Sequence, residues 1–213
     1  QHNSLLKINP EAGLSPESSL SAFLQASLEK TKIIWDKALA ENDVYAIRKY
    51  LRQMQGVVRI SLMVDHVARP NENPAFFTAY YNFSQIIKES IKAKNVDALF
   101  EIASVLEQIA EVAVTKKHYV DALDAILKDF NDICVATAMD DDMSAVNHNV
   151  IKNLLTVCNR ILTQAEIDDH RLKKMQEVVP MCLAIAAISG NNILVDIKVG
   201  HFGDNIFAMA THN

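Results

Sequence analysis

The chain has 213 residues, half of them hydrophobic and 22% charged, with a formal net charge of −5. That length supports one sizeable core or at most two small domains, and the composition excludes disorder. The acidic balance argues against a general nucleic-acid binder, which needs cationic surface to displace counterions.

Glycine and proline number only five each, while Ala, Leu, Ile, Lys and Glu are plentiful, so an all-α fold is expected. No segment reaches the roughly 18–20 apolar residues of a membrane span. The longest nearly continuous apolar run, from Val178 to Ile188, contains Pro180 and reads as a buried core helix.

In chain order, residues 1–14 ("QHNSLLKINPEAGL") lack the layout of a secretion signal and are expected to form a flexible segment. They also lack an initiator Met, as an excised domain or a processed chain would. Ser15-Pro16-Glu17 is a helix start, with Ser15 as cap and Pro16 in the first turn. Leu20, Phe23, Leu24, Leu28 and Trp35 carry that helix to about Ala40. Asn42-Asp43 restarts a helix on Ile47, Tyr50, Leu51, Met54, Val57 and Val58, and it ends before Arg69-Pro70 because the residue preceding a proline leaves the helical region. "NENPAFF" is a loop, and a third helix runs from Pro74 to about Lys94.

From there a period of 24 sets in. Cys134, Cys158 and Cys182 are 24 apart, and Val-Asp-Ala-Leu occurs at 96–99 and again at 120–123. In that frame Leu106, Phe130, Leu154 and Val178 share a column, as do Ile109, Ile133, Val157 and Met181, and Ala110 joins the three cysteines. The columns are three and four residues apart, the buried stripe of an amphipathic helix. Residues 92–94, 116–118, 140–142, 164–166 and 188–190 fall between the rows, where turns belong. A unit of 24 fits one helix of about 19 residues and a short turn, so neighbouring helices should be antiparallel. Twice the period is near the upper range of HEAT-like units, but no repeat consensus is present. The expected fold is an antiparallel bundle or short α-solenoid of about seven helices over residues 15–190. Residues 191–213 are expected to form an irregular or short helical tail packed on that domain.

The acidic turn Asp140-Asp141-Asp142, with His148 beyond it, is the strongest candidate for a metal site. Asp140, Asp142 and Ser144 match the first ligands of a calcium loop, but Ala145 and Ile151 stand where glycine and glutamate are needed. His148 is about 120° around a helix from Asp142, so helix capping is the preferred reading. Glu166 and His170, four apart, lack a second such pair. His201 and Asp204 in "GHFGDN" read as a surface turn, and His66 reads as a partner for helix-end carbonyls. There is no nucleophile elbow, phosphate-cradling loop or H-E-x-x-H motif. No cofactor is expected. Three cysteines without metal spacing read as buried thiols in a reducing compartment, the cytoplasm.

Two surfaces suggest binding. "AFFTAYYNF" puts Phe76, Tyr80 and Phe83 on one helical stripe and Phe77 and Tyr81 on its neighbour, a breadth that fits burial on two sides or a docking face. Arg48, Arg52 and Arg59, with Lys49 beside them, form a basic face able to hold a carboxylate, a phosphate or an acidic lipid surface. The function expected first is a non-enzymatic interaction domain, an adaptor, scaffold or regulatory module binding another protein or itself. The alternatives are a metal-dependent hydrolase or lyase using Asp140–Asp142, and the soluble domain of a membrane-associated protein.

Overall fold

The computed structural model describes residues 16–68, 74–116, 119–164, 166–198 and 200–211. The N-terminal segment, the cap Ser15, the helix stop at Arg69-Pro70, residues 71–73 of the loop and the His66 side chain lie outside what it describes. Among the described residues there are seven long helices and two short ones: α1 (Pro16–Ala40), α2 (Val44–Ala68), α3 (Pro74–Lys92), α4 (Val96–Val114), α5 (Val120–Thr137), α6 (Ser144–Leu162), α7 (Asp169–Ile188), α8 (Ile193–Lys198) and α9 (Asp204–Thr211). A 3₁₀ turn, Asp141–Met143, leads into α6. The fold is all-α. The tail, read as irregular or short helical, forms two short helices among the described residues. None of the described helices is long and apolar enough to cross a membrane.

Helices from α4 onward start at 96, 120, 144, 169 and 193, so the period of 24 holds to within one residue. The columns built on Leu106 and on Ala110 are buried throughout, and only Met181 of the Ile109 column is half-buried. Three turns are cut by local chemistry. Asn95 caps α4 by accepting from Ala98 N at 2.8 Å, and Asp168 caps α7 by accepting from Arg171 N at 2.8 Å. Asn42 and Lys94 close α1 and α3 in the left-handed region, at φ of 49° and 48°.

Packing follows chain order. The even helices α2, α4 and α6 pack side by side as one layer, the odd helices α1, α3, α5 and α7 form the other, and each helix also touches its neighbour in sequence. This is the two-layer arrangement of an α-solenoid. Its core is a single cluster running from Leu28 to Ile206. At the C-terminal end α9 lies across α6 and α7, burying Ile206.

The turns along one edge are tied to each other. Asn95 Nδ2 donates to Asn42 Oδ1 at 2.9 Å, and Lys94 Nζ donates to Asp140 Oδ2 at 2.6 Å. Fully buried Asn147 links the α5–α6 turn to the end of α7. On the other edge buried Arg171 reaches back from α7 to the Val114 and Lys116 carbonyls at 3.2 and 2.6 Å, satisfying free carbonyls at the C-terminal end of α4. There too Asp65 accepts from Ala75 N at 3.0 Å and Phe76 N at 2.7 Å, opening α3. Burial pushes the Asp65 carboxyl up, against the pull of those two amides.

Candidate functional site

The acidic turn is engaged in structure. Asp140 caps the 3₁₀ turn by accepting from Asp142 N at 3.2 Å, and the Lys94 ammonium that bridges to it holds its carboxyl below the usual carboxylate range. Asp141 and Asp142 are exposed, and His148 is half-buried on α6. Among the described residues no three His, Cys, Asp or Glu side chains form a group able to hold a metal ion. The other expected pairings are rearranged. His170 Nε2 meets Asp124 Oδ2 of α5 at 3.1 Å, with Glu166 outside that pair. His201 Nδ1 lies 3.5 Å from Asp196, in the turn between α8 and α9.

The three cysteines are free and fully buried in the α5–α6–α7 core. Burial pushes their thiols up, Cys134 and Cys158 far above the ordinary value and Cys182 to about 12. Thiols held this firmly neutral are poor nucleophiles.

The aromatic helix divides between its two stripes. Phe76, Tyr80 and Phe83 are buried, with Phe76 and Tyr80 stacked at 5.0 Å. Phe77 and Tyr81 remain exposed, 37% and 65%. A contact surface spanning the whole helix is therefore reduced to those two residues, because α3 is covered by α1, α2, α4 and α5.

The basic face sits on α2. Arg52 Nε lies 3.1 Å and Arg48 Nε 3.8 Å from opposite oxygens of Glu101 on α4, while Arg59 is half-buried two turns further on. Tyr45, Arg48, Lys49, Arg52 and Gln53 surround a hollow of about 530 Å³. Three cations face one carboxylate there, so the hollow stays positive.

Beside it is a groove that the sequence reading did not identify. Between α1 and α2, Phe23, Leu28, Thr31, Tyr50, Met54 and Val57 enclose about 170 Å³ with an almost wholly apolar lining. Gln53 borders both spaces. Exposed Ile34 on α1 and Ile60, Met63 and Val64 on α2 extend the apolar surface. A signal was available: Ile33-Ile34-Trp35 are three adjacent large apolar residues, and one buried stripe of a helix cannot take all three. Trp35 is the one inside, its Nε1 donating to Glu89 at 3.1 Å. Comparison with protein-family models, curated proteins and solved structures finds no match for this chain.

Proposed function

We propose that this chain is a non-enzymatic helical interaction module, an adaptor, scaffold or regulatory domain, that engages another protein or a second copy of itself through α1 and α2. The observation that carries this is the difference between the two ends of the helical stack. A helix pair at the end of a solenoid has a side with no neighbouring repeat, which must be capped or occupied. At one end α9 covers α6 and α7. At the other, among the described residues, α1 and α2 present an apolar groove and a continuation of exposed Ile and Met side chains. Clustered exposed apolar surface of this kind marks contact sites. The three unpaired cysteines fit a reducing compartment, the cytoplasm.

The test is a double substitution, Phe23→Glu with Ile60→Glu, at two exposed positions. Each change should alter stability by no more than about 0.5 kcal/mol. The double variant should lose both self-association in sedimentation velocity and any partner verified by reciprocal capture. A parent protein that stays monomeric and has no verifiable partner, or a variant that associates unchanged, ends this reading.

A further inference from the structure

We infer that the α1–α2 groove takes an amphipathic helix of another protein, with an apolar stripe flanked by acidic side chains. This inference rests on the interaction reading above and names the partner's chemistry. The groove floor is apolar, formed by Leu28, Tyr50 and Met54. Its rims are not. On α1 the rim stripe runs through Phe23, Ser27, Lys30, Ile34 and Lys37, spaced four, three, four and three. On α2 the Gln53–Val57 rim continues back one turn to Lys49, where the basic hollow with Arg48 and Arg52 begins.

No Asp or Glu lies on either rim stripe. The nearest carboxylates on α1, Glu29 and Asp36, occupy a different stripe, and Asp36 is bound to Lys32 at 2.7 Å. Lys37 approaches Glu41 only loosely, at 3.9 Å with both side chains exposed. The apolar groove has exposed Lys30 beside its α1 wall and opens past Gln53 into the hollow of Lys49, Arg48 and Arg52 on α2, and this arrangement complements an acidic amphipathic helix laid along it. The chain itself shows that an end pair accepts such an element: α9, only eight residues long, lies across α6 and α7 with Ile206 fully buried. The remote Glu101 already engages Arg48 and Arg52 but leaves both guanidinium groups exposed, so a second carboxylate can reach them.

The experiment uses the full chain and designed fluorescent peptides of roughly 16 residues, long enough for a helix in a groove. One carries Leu along one stripe with Glu flanks, the second has Lys flanks, and the third has the first composition in an order without a stripe. Fluorescence anisotropy is read at low and high salt. The Glu-flanked peptide should bind at least about tenfold tighter than either control and weaken with salt. Lys30→Glu with Lys49→Glu should reverse the preference between Glu and Lys flanks, and Phe23→Glu should abolish binding of both while leaving the circular dichroism spectrum unchanged. Equal binding of the three peptides, or none, overturns the inference. So does a dimer in sedimentation velocity that the peptide disrupts, since a second copy is then the occupant. So does a gain in peptide affinity on Leu5→Glu with Leu6→Glu, which would assign the groove to the chain's own first residues. The dimer overturns this inference alone and leaves the interaction reading standing, whereas a protein that binds nothing and never associates removes both.

Discussion

The Asn147 carboxamide oxygen accepts from the Ser189 hydroxyl at 2.9 Å, joining the inside of α6 to the last turn of α7. The same oxygen accepts from Asn191 Nδ2 at 3.1 Å, and Asn147 Nδ2 donates to Cys134 O and Thr137 Oγ1, each at 3.0 Å. One buried side chain thus uses all four of its hydrogen-bonding positions on two separate turns. Replacing it with Ala strands several buried groups at once and should cost about 3 kcal/mol in urea unfolding. Ser189→Ala should cost about 1 kcal/mol, and the double variant less than the sum, because the two residues share a bond. Additive losses would show that the network does not act as a unit.

Asp129 is the opposite case. It is buried in the α3–α5 interface, where Ser84 Oγ donates to its Oδ1 at 3.2 Å but its Oδ2 has no partner. Burial pushes its carboxyl up, outweighing help from Tyr80, Ser84 and Lys128, and Asp132 adds repulsion. A group with a raised folded-state value contributes stability that is present below its unfolded value and lost as pH rises through the folded one. Asp129→Asn should therefore stabilise the protein at neutral pH by about 1–3 kcal/mol, the usual cost of a buried polar group left unsatisfied. That advantage should shrink as pH falls through the folded value. Thermal unfolding of variant and parent from neutral to acidic pH reads this directly; an advantage that grows on acidification would contradict the sign.

The acidic turn calls for a metal titration. Asp140 is occupied by Lys94 and by its capping bond, so Ca²⁺, Mg²⁺, Mn²⁺ and Zn²⁺ should leave the unfolding temperature of the chelator-treated protein unmoved. A site at a hundred times its dissociation constant would add about 2.7 kcal/mol. Because Lys94 holds the Asp140 carboxyl down, the stability it contributes is present above its unfolded value and lost as pH falls through the folded one. Lys94→Ala should flatten that acid limb.

The buried thiols should report on opening. Ellman's reagent should find Cys134, Cys158 and Cys182 silent in the native protein and reactive together on unfolding, since all three are buried and held neutral. One fast thiol would mark a local opening between two of α5, α6 and α7.

Much of this architecture could be read from hydrophobic period alone. The Leu106 and Ala110 columns follow from residues that water excludes, and the turns fall in the polar gaps between the rows of the same period. Period fails where polar residues are buried. Asn147, Asp129 and Arg171 look like surface residues in any sequence pattern, and only partners 10 to 57 positions away, such as Thr137 for Asn147 and Val114 for Arg171, place them inside. It fails also where a helix has more apolar residues than one core can take. The pattern gave the two aromatic stripes of α3 equal standing, and the choice of Phe76 and Tyr80 over Phe77 and Tyr81 was made by the helices that cover α3, among them α5, whose Ala125 carbonyl accepts from Tyr80 at 3.4 Å. The arginines were placed on one face correctly, but Glu101, 49 positions from Arg52 on α4, was invisible. The α1–α2 groove was missed for the same reason: a groove belongs to two helices, and a periodicity belongs to one.

The layering has a kinetic side. Each helix is braced almost wholly by those one or two places along the chain, so no part of the fold waits on a distant pairing. Each contact closes a short loop at small entropic cost, and folding can begin where packing is richest, among α4, α5 and α6, and spread outward. Loss of structure then runs the other way, fraying from α1 and from α8–α9 toward the middle. A molecule held across α1 and α2 would act as a clasp on one end of the stack, slowing one of the two routes by which the array comes apart.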